Sequence, residues 1–113
     1  MNGRATIQTA SKTAILVTNS ALGPILCPFF GKCDGVLLID ETGAASEFYP
    51  HDRSDAKSLC KLILTLKPRT LICGFIGAKE KQRLWKTGID VRLGSCSLSI
   101  NELFAGCHNL PRA

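Results

Sequence analysis

A chain of 113 residues has room for one domain around one core. With 45% hydrophobic and 20% charged residues it is not a wholly disordered chain, and its longest apolar runs, residues 14–17 and 36–39, fall far short of the roughly 20 a spanning helix needs. The formal net charge of +5 favours an anionic partner (a nucleic acid, an acidic protein or an anionic cluster), although without a long basic run a solubilising surface charge explains it equally well.

Residues 1–12 are polar and lack the apolar stretch of a secretory signal, so they are expected to form a flexible tail ahead of a single domain spanning residues 13–113. The run TAILVT at residues 13–18 is continuous and apolar, which predicts a strand buried on both faces. Residues 21–34 contain Gly23, Pro24, Cys27, Pro28, Gly31 and Cys33 and read as a long loop, of the kind that is often functional. Residues 35–40 and 45–49 pair as a hairpin, with Gly43 supplying the positive φ of the turn and Pro50 stopping the second strand. His51, directly after, reads as a turn residue facing solvent.

Ser54 is the expected N-cap of a helix that runs to Leu66, with Asp55 in its first turn. Its stripe is Ala56, Leu59, Cys60, Leu62, Ile63 and Leu66. Pro68 breaks the chain before a short buried strand over residues 70–73, which leads into Gly74-Phe75-Ile76-Gly77. A very polar helix follows over residues 78–87, carrying Lys79, Lys81, Arg83 and Lys86 against Leu84 and Trp85, with Gly88 closing it. Residues 89–93 alternate as a strand. Ser99 and Glu102 then make a capping box, with Leu98 and Leu103 as its hydrophobic staple, opening a short helix that ends at Gly106. The order β-β-β-α-β-α-β-α predicts an α/β domain with a mixed sheet and helices packed on it.

The even count of six cysteines admits a disulfide scaffold. Against it stand the absent signal and three cysteines, Cys60, Cys73 and Cys107, set within or beside apolar elements, where thiols behave as small hydrophobes. The expectation is a reduced, cytoplasmic protein with free thiols.

Several segments together carry a resemblance that covers most of the chain: Ile15-Leu16-Val17, Phe29-Phe30-Gly31-Lys32-Cys33, residues 36–40, Leu71-Ile72-Cys73-Gly74-Phe75-Ile76-Gly77, residues 87–91 and the Ser99–Glu102 cap. In their order and spacing they resemble the dinitrogenase iron–molybdenum cofactor biosynthesis family, the domain of nitrogenase cofactor carriers and of the C-terminal part of the cofactor-assembly protein. The resemblance implies a three-layer, ribonuclease H-like fold. It also implies a non-enzymatic binding or carrier role for an iron–sulfur or iron–molybdenum type cluster, with cluster-assembly proteins as partners. One departure bears on the site: the family's His-Phe-Gly-Arg segment stands here as Phe29-Phe30-Gly31-Lys32, so a natural metal ligand is replaced by Phe29.

In open α/β sheets ligands sit beyond the carboxyl ends of the parallel strands. Here that edge takes in residues 19–33, 74–78 and 94–98, and it collects Cys27, Cys33 and Cys96 as candidate metal ligands. Thiolates are soft donors suited to iron–sulfur species, copper(I) or zinc. Gly31, Lys32, Gly74 and Gly77 complete the candidate cofactor-binding set, the glycines offering backbone N–H groups and Lys32, with Lys79, a positive field. Plain structural thiols and a tight strand-to-helix turn explain the same residues without a ligand, and the Cys27–Cys33 spacing is wider than usual for zinc. Phe29 and Phe30 read as packing residues rather than a stacking platform.

An alternative function is a divergent protein-interaction or nucleic-acid-binding domain with structural cysteines and no cluster. Nucleic acid is not the expected partner, because Asp34, Asp40, Glu47 and Asp90 are scattered over different elements rather than clustered to hold two metals, and interleaved aromatics are lacking. A thiol redox role lacks a Cys-x-x-Cys motif. With no recognisable Ser, His and Asp set, the chain is not expected to be an enzyme.

Overall fold

The computed structural model describes residues 12–52 and 55–113, so residues 1–11 of the expected N-terminal tail and the Ser54 cap lie outside the described residues, while the Lys12 carbonyl accepts the Arg69 N–H at 2.8 Å. Chain order is β1 (Thr13–Ser20), β2 (Gly23–Leu26), β3 (Gly35–Ile39), β4 (Ser46–Pro50), α1 (Ala56–Leu66), β5 (Thr70–Cys73), α2 (Ala78–Lys86), β6 (Asp90–Leu93) and α3 (Ile100–Ala105), followed by one 3-10 turn at Cys107–Asn109. Six strands form one mixed sheet in the order β4-β3-β1-β5-β6, with β2 paired to β1 outside that path. The α/β class and the mixed sheet are as the sequence predicts.

β1 explains its own composition. It runs antiparallel to β2 and β3 and parallel to β5, and residues 14–17 are fully buried. Alternate residues point to opposite faces of a strand. Ala14 and Leu16 therefore enter one core cluster, with Leu59, Cys60 and Ile63 of α1 and Leu84 of α2, while Ile15 and Val17 enter the other, with Leu103 of α3. Helices thus cover both faces of the sheet, which a continuous apolar run requires.

The order differs from expectation at one place: residues 21–34 are not a plain loop. Gly23, at φ +109°, lets the chain reverse, and residues 23–26 pair back on Val17–Ser20 as β2. A four-residue strand holding Pro24 gives little sequence signal, and the proline is tolerated because it lies beside Asn19 at the end of a short ribbon. The hairpin of β3 and β4 forms as predicted, with Gly43 at φ +78° and Asp40 accepting from the Thr42 N–H and hydroxyl at 3.2 and 2.8 Å. Asp55, read above as a first-turn residue, is itself the N-cap of α1, accepting the Ser58 N–H at 2.6 Å. The capping box of α3 is complete, with Ser99 Oγ accepting from the Glu102 N–H at 3.1 Å and Glu102 from the Ser99 N–H at 2.8 Å.

His51 is not a free turn residue. It is half-buried, with Nδ1 3.2 Å from the Cys33 carbonyl and Nε2 3.0 Å from Ser58 Oγ, so it ties the loop after Gly31 to α1. At the opposite end of the sheet, residues 111–113 lie along β6. The Leu93 N–H donates to the Pro111 carbonyl at 2.8 Å and the Ala113 N–H to the Val91 carbonyl at 3.0 Å. Arg112 stacks over Trp85 at 5.5 Å, and Arg92 holds Asp90 and donates to the Leu110 carbonyl at 2.8 Å. Among the described residues no helix is long and apolar enough to cross a membrane.

Candidate functional site

The carboxyl ends of the parallel strands β1, β5 and β6 share one edge, and the chain leaving β2 is laid across it. The Cys27 N–H donates to the Leu16 carbonyl at 2.9 Å, and Pro28 to Phe30 then run beside Gly74 and Phe75. Two bonds of 2.8 Å close this junction, from the Phe75 N–H to the Pro28 carbonyl and from the Phe30 N–H to the Phe75 carbonyl. A Cβ on Gly74 would stand 2.5 Å from the Pro28 oxygen and 2.7 Å from the Cys27 oxygen, so no larger residue fits. Gly74 is thus explained by close backbone approach. Gly31 is explained likewise: it sits at φ +91°, and an added Cβ would be 3.0 Å from the Ala56 backbone at the start of α1. Gly77 is the N-cap of α2, and a Cβ there would meet the movable Glu80 side chain.

Beside this junction lies a mostly apolar groove of about 430 Å³, whose walls include Pro28, Gly74, Phe75, Leu93, Gly94 and Cys96. Lys81 and Ala113 also line it. The lysine that serves the groove is therefore Lys81, which the sequence reading did not select, while Lys79 faces a separate cleft on the α1 side of α2. Lys32 is exposed in the turn that its N–H closes onto the Phe29 carbonyl at 3.1 Å. Phe30 packs on the core as expected, but Phe29 is 57% exposed and its bridge partner Phe75 is 69% exposed. The exposure of these two rings is not shown by burial patterns in the sequence, and of the two only Phe75 lines the groove.

The candidate thiols divide into two groups. Cys27 and Cys33 are buried close together, and both thiols donate to the Phe29 carbonyl, at 3.2 and 3.9 Å. Contact with the Cys27 thiol, and then burial, push the Cys33 thiol far above its ordinary range. Cys73, fully buried on the same core face, is pushed up to about 12 by burial and then by the nearby Cys27. Cys96 is the exposed member and stands in the groove. The fold thus joins Cys27 to Cys33 behind the Pro28 wall, with Cys96 in front. Among the described residues, no group of three or more His, Cys, Asp or Glu side chains is placed to hold a metal ion. All six cysteines are free thiols.

No family model matches the sequence, and no curated protein matches it either. Solved structures do match in fold. The apo form of the orange protein from Desulfovibrio gigas superposes with a TM-score of 0.76 at 19% identity, over 92% of this chain and 93% of that one. A Thermotoga protein described as NifB and placed in the DUF35 family gives 0.71 at 14% identity, over 88% of each chain. PH0822 gives 0.72 at 15% identity, over 90% of this chain and 92% of the other. At such identities the likeness is one of fold.

Proposed function

We propose that this chain is a non-enzymatic binding and carrier protein for an anionic metal–sulfur cluster of iron–sulfur or iron–molybdenum type, received in the groove at the carboxyl edge of the sheet and passed on to cluster-assembly proteins in the cytoplasm. The observation that carries the reading is the position of Cys96: an exposed thiol in a mostly apolar groove of about 430 Å³, with Lys81 on its wall. A soft donor is offered where water is partly excluded and one cation offsets negative charge. Phe75, exposed on the groove wall, would shield one side of a docked cluster. The resemblance of the sequence to the cofactor-biosynthesis family supports the reading, as does the fold shared with the apo form of the orange protein and with the Thermotoga protein described as NifB and placed in the DUF35 family. We include in the proposal the ribonuclease H-like layout that the resemblance implies.

Cys27 and Cys33 are placed to act as further ligands only if the Pro28–Phe30 segment lifts from Gly74, because both thiols are buried and the surroundings of Cys33 disfavour its thiolate. The test is anaerobic loading with iron and sulfide, and separately with tetrathiomolybdate, read by metal and sulfide content and visible absorption. Stoichiometric uptake that is lost in Cys96→Ser establishes the groove as the site. Uptake lost in Cys27→Ser/Cys33→Ser but kept in Cys96→Ser moves the ligands behind the wall. No uptake by the wild type sinks the proposal in favour of an interaction domain with structural thiols.

A further inference from the structure

α2 separates two concave surfaces. Its Lys81 side faces the groove described above, and its other side, with α1, walls an open cleft of about 380 Å³. Lys57 of α1 and Lys79, Arg83 and Lys86 of α2 line this cleft against a single carboxylate, Glu80. Among the described residues none of the four cations forms an ion pair. Lys79, Arg83 and Lys86 recur every three or four residues and so form one stripe along the helix, spaced by about 6 Å and about 4.5 Å at the helical rise. Such spacings lie within a Debye length at physiological salt, so the fields of the cations add.

We propose that the α1–α2 cleft is a docking surface for an extended acidic peptide segment of a partner protein. Alternate side chains of an extended chain project from one face about every 6.6 Å, which matches the cation stripe within the reach of a lysine. Glu80 and Gln82 also line the cleft and offer acceptors for amide N–H groups. A peptide supplies both carboxylates and N–H donors along its length, whereas a nucleic-acid backbone supplies anions without such donors. A single strand of nucleic acid would also need aromatic platforms for its bases. The lining residues include none, and the Trp85 ring on α2 is covered by Arg112. This surface stands whether or not the groove takes a cluster, since the two share no lining residue.

The experiment is fluorescence anisotropy of a labelled peptide of roughly ten residues alternating Glu and Gly, with the full chain, in low salt and in rising salt. Binding at low salt that weakens about tenfold toward physiological salt is expected. It should fall at least about tenfold in Lys79→Glu/Lys86→Glu and persist in Lys61→Glu/Lys67→Glu, which changes net charge equally on exposed positions outside the cleft. Three results overturn the proposal: no binding at low salt, equal loss in both variants, or tighter binding of an oligothymidylate of matched charge. Circular dichroism of both variants separates lost binding from lost folding.

Discussion

At the scale of single residues, six chemically identical thiols have been given different reactivities by their surroundings. Cys96 meets solvent, while Cys27, Cys33, Cys60, Cys73 and Cys107 are buried. Only thiolates attack electrophiles, and burial disfavours the charged form. N-ethylmaleimide at neutral pH is therefore expected to modify one thiol quickly, identified by mass spectrometry as Cys96, and the rest only after denaturant is added. Fast modification of Cys27 or Cys33 would mean that the Pro28–Phe30 segment opens readily. The same burial sets a pH dependence. Cys73 ionises at about 12 in the fold against an ordinary 9.0, so above that ordinary value the unfolded chain has released a proton that the folded chain retains. The stability associated with Cys73 is complete below pH 9.0 and declines as pH rises toward about 12, and Cys33 adds in the same direction. The denaturant midpoint should accordingly drop as pH is raised past that point, and less so in Cys73→Ala.

At the scale of elements, the junction between β5 and the chain leaving β2 builds the candidate site. It depends on Gly74, whose missing side chain lets the Cys27 and Pro28 carbonyls approach. Gly74→Ala should cost about 1–3 kcal/mol, as overpacking against backbone does, and should loosen the Pro28–Phe30 segment so that Cys27 becomes alkylable. Urea unfolding combined with thiol labelling checks both effects, and an unchanged midpoint would show that the two strands can part without loss. This junction was the least legible part of the chain. β1, β3, β5 and the α3 capping box announce themselves because period, turn chemistry and caps agree at each. β2 does not, since its four residues contain a proline and its pairing is fixed by Gly23 and by the unfilled flank of β1. The α1 cap was displaced by one residue because Ser54 and Asp55 are both good caps and only local backbone geometry selects Asp55. For the site, cysteine positions and the sheet edge at which their loops gather could be read from the chain, but not which thiols face outward. Nor does the chain show that Lys81 rather than Lys79 lines the groove, because helical phase relative to the groove depends on how α2 docks through Leu84.

At the scale of the whole molecule, the sheet has unequal borders. Residues 111–113 cover the β6 side through backbone bonds at Leu93 and Val91, with Arg112 clamped between Trp85 and Asp90. Removing residues 111–113 uncovers that strand edge and one wall of the groove, since Ala113 lines it. The shortened protein should self-associate in a concentration-dependent manner by sedimentation velocity, and a strictly monomeric product would show that the edge is protected by other means. β1 has a different consequence, one of time rather than of shape. Its partners β2 and β3 follow closely in the chain, whereas Thr13 meets Thr70 of β5 only after a helix has been traversed. Local closures are fast and distant ones slow. The antiparallel half can thus close first, leaving part of one flank of β1 open as a template on which the parallel half, and with it the carboxyl-edge groove, is the last thing to be made.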